Sequence, residues 1–166
     1  MESTVKIKLD FSGMDKVLQG CKILKESVVR SGVLNGDSET LQKANINEFG
    51  GVTKYEDGPY KGEEVRVPPR SFVNAPARHR APEAIKKAIK VLENGINQAN
   101  SKIALEIIGQ EIEDAQIKAL ERNGEGANPD WLKHNDPRTV ATKGFDRPLW
   151  SRRGSTFPIE HEVVRK

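Results

Sequence analysis

The side chains able to carry chemistry are few and scattered. There are three histidines, His79, His134 and His161, and none stands four residues from another or within a Cys/His cluster, so a zinc site is not expected. The "HEV" at His161 lacks the second histidine of a metalloprotease helix. Glu111, Glu113 and Asp114 form the one carboxylate group suited to acid–base work, since Glu111 and Asp114, three apart, share a helix face. The isoleucine stripe beside them makes a solvated face the better reading. His79 sits between Arg78 and Arg80, whose charges disfavour its protonated form, so it reads as a surface-loop residue. The glycines fit neither GxGxxG nor GxxxxGK[ST], and no GxSxG is present. Cys21 is the only cysteine, which leaves no CxxC motif; it falls in an apolar helical pattern and is expected to be a buried, inert thiol. No catalytic, cofactor-binding or metal-binding residue is expected.

Two stretches combine arginine with aromatic residues. One is "VRVPPRSFVNAPARHR", with Arg70, Phe72, Arg78 and Arg80; the other is "PLWSRRG", with Trp150, Arg152 and Arg153. Such pairs stack on bases and track phosphates, but they are also enriched at protein–protein interfaces. The net charge is +3, and basic and acidic residues are interleaved rather than gathered on one segment. That pattern argues against specific nucleic-acid binding. Trp131 and Trp150 fall in expected loops, where each either pins the loop to the core or meets a partner. The candidate subunit-interface residues are therefore Arg70, Phe72, Arg78, Arg80, Trp131, Trp150, Arg152 and Arg153.

The elements that must position these residues follow from periodicity. "TVKIKLDF" alternates as a half-buried strand with Val5, Ile7, Leu9 and Phe11 on one face. A helix follows, capped by Ser12, with Met14, Val17, Leu18, Cys21, Leu24 and Val28 as its apolar stripe. "SGVLNGDSE" reads as a short strand ended by Asn35-Gly36. A short helix capped by Ser38 stops at Gly50-Gly51, and a hairpin or extended loop surrounds Asp57-Gly58-Pro59. Pro68 and Pro69 must end the next strand. The chain is then expected to stay extended until a helix begins near Pro82 and closes at Gly95. A second long helix carries Ile103, Ile107, Ile108, Ile112, Ala115, Ala119 and Leu120 as its stripe, with Gly109 marking a close approach of another backbone. "DPRTVATKG" is a compact helix with Asp136 as N-cap and Gly144 as stop, and "IEHEVVRK" is a closing strand.

At 166 residues one domain is expected, with a core over about 4–122 and a loop-rich C-terminal extension over 123–166. The fold class is α+β: a small mixed or antiparallel sheet packed against two long helices, with extended loops. Apolar residues make up 36% and aromatics only 5%, so the core is expected to be aliphatic. No apolar run is long enough to span a bilayer, and the N-terminus lacks the apolar block of a signal peptide, so the expected site of synthesis and use is a cytoplasm.

Several fragments stand in a telling order: "ANINEFG", then "VPPRSFV", then an amphipathic helix pair with "IIGQEIEDAQIKAL", then "DPRTVATKG" and "RPLW". Over roughly Ala44 to Trp150 the chain resembles the tail-component and virion-morphogenesis family of tailed bacteriophages. Glu48, Phe49 and Gly50 match that family's EFG segment. Pro68, Arg70 and Phe72 match its proline–arginine–aromatic segment, with Ser71 in place of a second proline. Gly109 matches the mid-helix glycine, and Thr139, Lys143, Gly144, Pro148 and Leu149 match the C-terminal segment. After "PL" the family continues with an aspartate, a glycine and a leucine leading into a strand, whereas here "WSRRGSTFP" intervenes.

The resemblance implies a structural virion protein with no active site, assembled in the bacterial host cytoplasm into a homo-oligomeric ring, a hexamer being favoured. Its partners would be the tail tube or terminator and the head-side connector, with passing contact to genomic DNA and none to membrane. The alternatives are a head-side connector or stopper, or a small nucleic-acid-binding protein. From the residues themselves, the Pro68-Pro69 pair is expected to hold Val67 to Arg80 extended and exposed, so that Arg70 and Phe72 reach a neighbouring subunit.

Overall fold

A computed structural model describes residues 12–56, 58–121, 133–151, 154–155 and 157–166. The elements run α1 (Ser12–Glu26), β1 (Ser27–Gly32), α2 (Ser38–Phe49), β2 (Gly51–Lys54), β3 (Glu64–Val67), α3 (Asn74–Leu92), α4 (Gln98–Glu121), α5 (Pro137–Lys143), β4 (Trp150–Ser151), β5 (Gly154–Ser155) and β6 (Glu160–Arg165). The class is α+β, with small antiparallel sheets beside long helices. The described strands pair as β1–β6, β2–β3 and β4–β5. The expected N-terminal strand, Val5 to Phe11, lies outside the described residues.

Local chemistry sets most boundaries. Asp37, one residue before the expected cap, accepts the Thr40 N–H at 2.7 Å and starts α2, while Gly50 at φ 80° ends it. Asp136 accepts the Arg138 N–H at 2.9 Å, Pro137 opens α5, and Gly144 closes it in the left-handed region. The hairpin forms as expected, with Val52 opposite Arg66 and Thr53 opposite Val65.

Two boundaries differ from expectation. β1 begins at Ser27, because Val28 and Val29 pair with Val164 and Val163 of β6; α1 stops at Glu26. α3 begins at Asn74, not near Pro82, so His79 is helical rather than in a loop. Pro76 falls in the first turn, where the missing N–H has no intrahelical partner anyway. Pro82 lies inside the helix and removes one hydrogen bond. α3 tolerates this because it packs along α4 and because its start is held by the buried Glu48 carboxylate of α2.

α4 is the centre of the molecule, packed by α3, by α1 and by the β1–β6 ladder. Its buried face is Ser101, Ala104, Leu105, Gly109, Gln116, Ala119 and Leu120. The expected isoleucine stripe is displaced: Ile103 is half exposed, and Ile107, Ile108 and Ile112 sit at the flanks. Small residues win the central line because neighbours approach from several sides at once. Gln116 is fully buried and tied at both ends, accepting from Ser31 Oγ at 2.7 Å and donating to the Val73 carbonyl at 3.1 Å.

α1 also turns a different face inward. Gly20 and Ile23 are buried, while Met14, Val17, Leu18 and Cys21 are exposed. A Cβ at Gly20 would lie 2.9 Å from the Asn97 backbone, so glycine permits this contact and fixes the helix rotation. Cys21 is thus an exposed thiol, contrary to expectation.

The main apolar cluster joins Ala44, Phe72, Leu120, Leu149, Phe157 and Ile159. Phe72 and Phe157 stack at 5.1 Å between centroids. Leu149, Phe157 and Ile159 lie beyond residue 122, and β6 pairs with β1, so the C-terminal segment helps build the core instead of trailing from it.

Candidate interaction surface

The Pro68-Pro69 segment organises this region. Directly after it, Arg70 is only 5% exposed. Its backbone N–H donates to the Asn47 carbonyl at 2.7 Å. Its guanidinium donates to the carbonyls of Lys133 at 2.8 Å and His134 at 3.1 Å, and to Oδ1 of Asn47 at 2.9 Å and of Asn135 at 3.3 Å. Burial lowers its pKa and Asp146 partly offsets that, but a guanidinium stays charged. Arg70 is therefore a clamp between α2 and the chain entering α5.

Two residues on, Phe72 is wholly buried against Phe157. The expectation that Arg70 and Phe72 reach out to a neighbour is overturned. Nor does the segment stay extended to Arg80: the Phe72 N–H turns back to the Arg70 carbonyl at 2.7 Å and α3 begins at Asn74, so the chain after the prolines is steered into the core.

Glu48 makes the complementary clamp. It is buried on α2 and accepts from Ser71 Oγ at 2.8 Å, Val73 N–H at 2.9 Å, Asn74 N–H at 3.0 Å and Asn74 Nδ2 at 2.8 Å. α3 has no side-chain cap of its own at Val73. A carboxylate from another helix therefore satisfies the N–H groups at its start and complements its dipole.

What lies outside is Phe49. It is 68% exposed, and Val52 beyond the Gly50-Gly51 link is 59% exposed. Ala44 and Glu48 face inward, and the helical period turns Phe49 away from them. Gly50 brings this ridge against the prolines: a Cβ there would come 3.0 Å from Pro69 Cδ. A shallow hollow of about 690 Å³ runs beside the ridge, lined by Phe49, Val52, Arg66, Val67, Pro69 and His134 among others. Phe49 enters the sequence reading only as a match to the family's EFG segment and Phe72 as a surface contact; the structure exposes Phe49 and buries Phe72.

The other expected interface residues divide. Arg78 is exposed on α3. Arg80 is half-buried, bonded to Glu111 and, at 2.8 Å, to Glu83. Glu111 also takes Lys87 at 2.7 Å, and that hydrogen bond, ahead of those from Arg80, holds its carboxyl below the usual range. The Trp150 backbone lies in β4, paired with Ser155. Trp131, Arg152 and Arg153 lie outside the described residues.

The remaining resemblance positions have structural contacts. Thr139 Oγ1 and Tyr55 Oη are 3.2 Å apart, Lys143 donates to the Arg147 carbonyl at 3.2 Å, and Pro148 and Leu149 are buried. Gly109 is filled from across α4, since a Cβ there would overlap the His161 ring. The close approach expected at this glycine comes from a side chain, not a backbone.

His161 is the residue that sequence reading missed. Its Nδ1 lies 2.5 Å from Glu113 Oε2 and its Nε2 3.2 Å from Glu106 Oε2. Burial opposes its charge, but the hydrogen bonds to Glu113 and then Glu106 outweigh burial and raise its pKa above 6.5. The available signal was a histidine on the closing strand together with a carboxylate series on the long helix. Asp114, the third member of the acidic group, accepts from Gln110 at 2.9 Å. Among the described residues no group of His, Cys, Asp and Glu could hold a metal ion, and no helix is long and apolar enough to cross a membrane.

No known family model matches the chain, and neither a curated protein nor a solved structure matches it.

Proposed function

We propose that the chain is a structural virion protein of a tailed bacteriophage neck, completing the tail and joining it to the head as part of a homo-oligomeric ring, a hexamer being favoured. The observation that carries this reading is the apolar ridge of Phe49 and Val52 beside Pro69, exposed between the first two of the segments that carry the family resemblance. Large exposed apolar side chains gathered beside polar ones mark contact surfaces. Phe49 supplies rigid aromatic area at low entropy cost, and Arg66 supplies a charged rim.

The buried clamps fit the same reading. Glu48, Arg70 and Gly109 brace α2, α3, α4 and the C-terminal strand against one another. A ring subunit needs such a rigid body, so that contact at one edge positions the other. In this scheme Phe49 and Val52 of one copy are covered by the next copy around the ring, and the tail tube and head connector meet its two faces.

Electron microscopy of lysates from a phage with a stop codon in this gene tests the proposal. DNA-filled heads beside separate tails of normal length are expected. Tails of uncontrolled length would move the role to a terminator, and intact infectious virions would overturn the neck reading.

A further inference from the structure

A cavity of about 630 Å³ opens between α2, the β2–β3 hairpin and α5. Part of its wall is apolar, formed by Ile46, Val65, Leu149 and Phe157. That volume suits a small organic molecule. Its charge is lopsided. Among the described residues two carboxylates line it, and both are engaged: Glu56 with Lys43, and Asp136 with Arg138 and the start of α5. Arg70 and Lys143 also line it; among the described residues neither forms a salt bridge, and Asp146, whose charge acts on both, is itself bonded to His134 and Asn135. Arg70 uses four N–H groups on neutral oxygens, which leaves one of its five. Lys143 donates to one carbonyl and lies 5.1 Å from the centre of the Phe145 ring. Burial, and then the Arg70 charge, lowers the Lys143 pKa, while Asp146 acts the other way.

We propose that this cavity is a binding site for an organic carboxylate with an apolar body. The carboxylate would lie between Lys143 and the remaining Arg70 N–H, completing the charge balance of two partly desolvated cations. The body would rest on Leu149, Phe157 and Val65. A phosphate fits less well, because it would leave the apolar wall of Val65, Leu149 and Phe157 uncovered, and the α5 N-terminus that could hold it is already closed by Asp136. This site is separate from the Phe49 ridge, and its test is independent of the neck reading.

The test is a two-dimensional NMR titration of the full chain with hydrocinnamate and, in parallel, with the neutral hydrocinnamamide. Saturable shifts around Thr139, Lys143 and Leu149 are expected for the acid, with a Kd on the order of 1 mM and at least about tenfold weaker binding of the amide. Lys143→Met should weaken the acid about tenfold, and Lys143→Arg should hold it within about threefold. The acid–amide comparison needs no variant, so it stands even if Lys143→Met folds poorly. Equal binding of acid and amide would reduce the site to an apolar hole and overturn the proposal. Absence of saturable shifts at up to about 50 mM hydrocinnamate would overturn it too.

Discussion

Replacing Glu48 by alanine should be among the most damaging single changes on α2. The side chain accepts four hydrogen bonds, two of them from backbone N–H groups at the start of α3. Losing an N-cap costs about 0.5–2 kcal/mol, and leaving a buried donor unsatisfied costs about 1–3 kcal/mol. Asn74 is exposed, so water can replace part of its share, and the expected loss is about 2–4 kcal/mol. For a chain of this length each kcal/mol shifts Tm by about 2–4 °C, so a drop of about 4–16 °C is expected. Urea denaturation followed by circular dichroism should show a lower midpoint at unchanged slope. Glu48→Gln, which keeps one acceptor oxygen, should lose roughly half as much. Phe49→Ala, one residue away but exposed, should stay within about 0.5 kcal/mol of wild type. If Glu48→Ala lost less than about 1 kcal/mol, the inter-helix cap would not be the device that starts α3.

Three further outcomes follow from the same geometry. Arg70→Ala should cost about 3–5 kcal/mol, by leaving the Lys133 and His134 carbonyls and two amide oxygens without their donor, whereas Arg78→Ala should be near neutral; chemical denaturation separates them. Gly109→Ala should destabilise by about 1–3 kcal/mol despite alanine's better helix propensity, because its Cβ displaces the His161 ring; combining it with His161→Ala should recover part of the loss in the same assay. The folded pKa of His161 is raised, so its contribution is fully present below its unfolded value near 6.5 and is lost as pH rises through the folded pKa. Wild type should therefore lose stability relative to His161→Gln as pH rises from the unfolded value near 6.5 through the raised folded pKa, and a constant difference across that rise would refute the pairing with Glu106 and Glu113.

The parts of the fold that could be read from sequence are those set by a neighbour in the chain. Asp136, Pro137 and Gly144 bound α5 through contacts within one helix. Gly50 ends α2, and the proline pair ends β3, for equally local reasons. The misread parts depend on residues distant in sequence. α3 starts at Asn74 because Glu48, on another helix, satisfies its first N–H groups. α1 exposes its apparent apolar stripe because Gly20 fits against Asn97. α4 buries alanine, glycine and glutamine in place of isoleucine because α3, α1 and the β1–β6 ladder crowd it.

Two of the interface candidates, Arg70 and Phe72, depend on distant residues in the same way. Arginine and phenylalanine after two prolines resemble an exposed grip, yet Arg70 and Phe72 meet partners far along the chain, at Asn135 and Phe157. Periodicity within α2 did carry the phase of Phe49, since Ala44 and Glu48 on one face leave Phe49 on another. The charge of Glu48 hid that signal, because a carboxylate is not an expected core residue.

The most direct test of the proposed neck role is complementation of the stop-codon phage with a gene carrying Phe49→Asp, after circular dichroism has shown that the variant folds. The account predicts a stable protein that fails to restore particles, leaving filled heads and separate tails in the micrographs. Normal yields of infectious virions from the Phe49→Asp gene would contradict the claim that this ridge is where the subunit meets its neighbour.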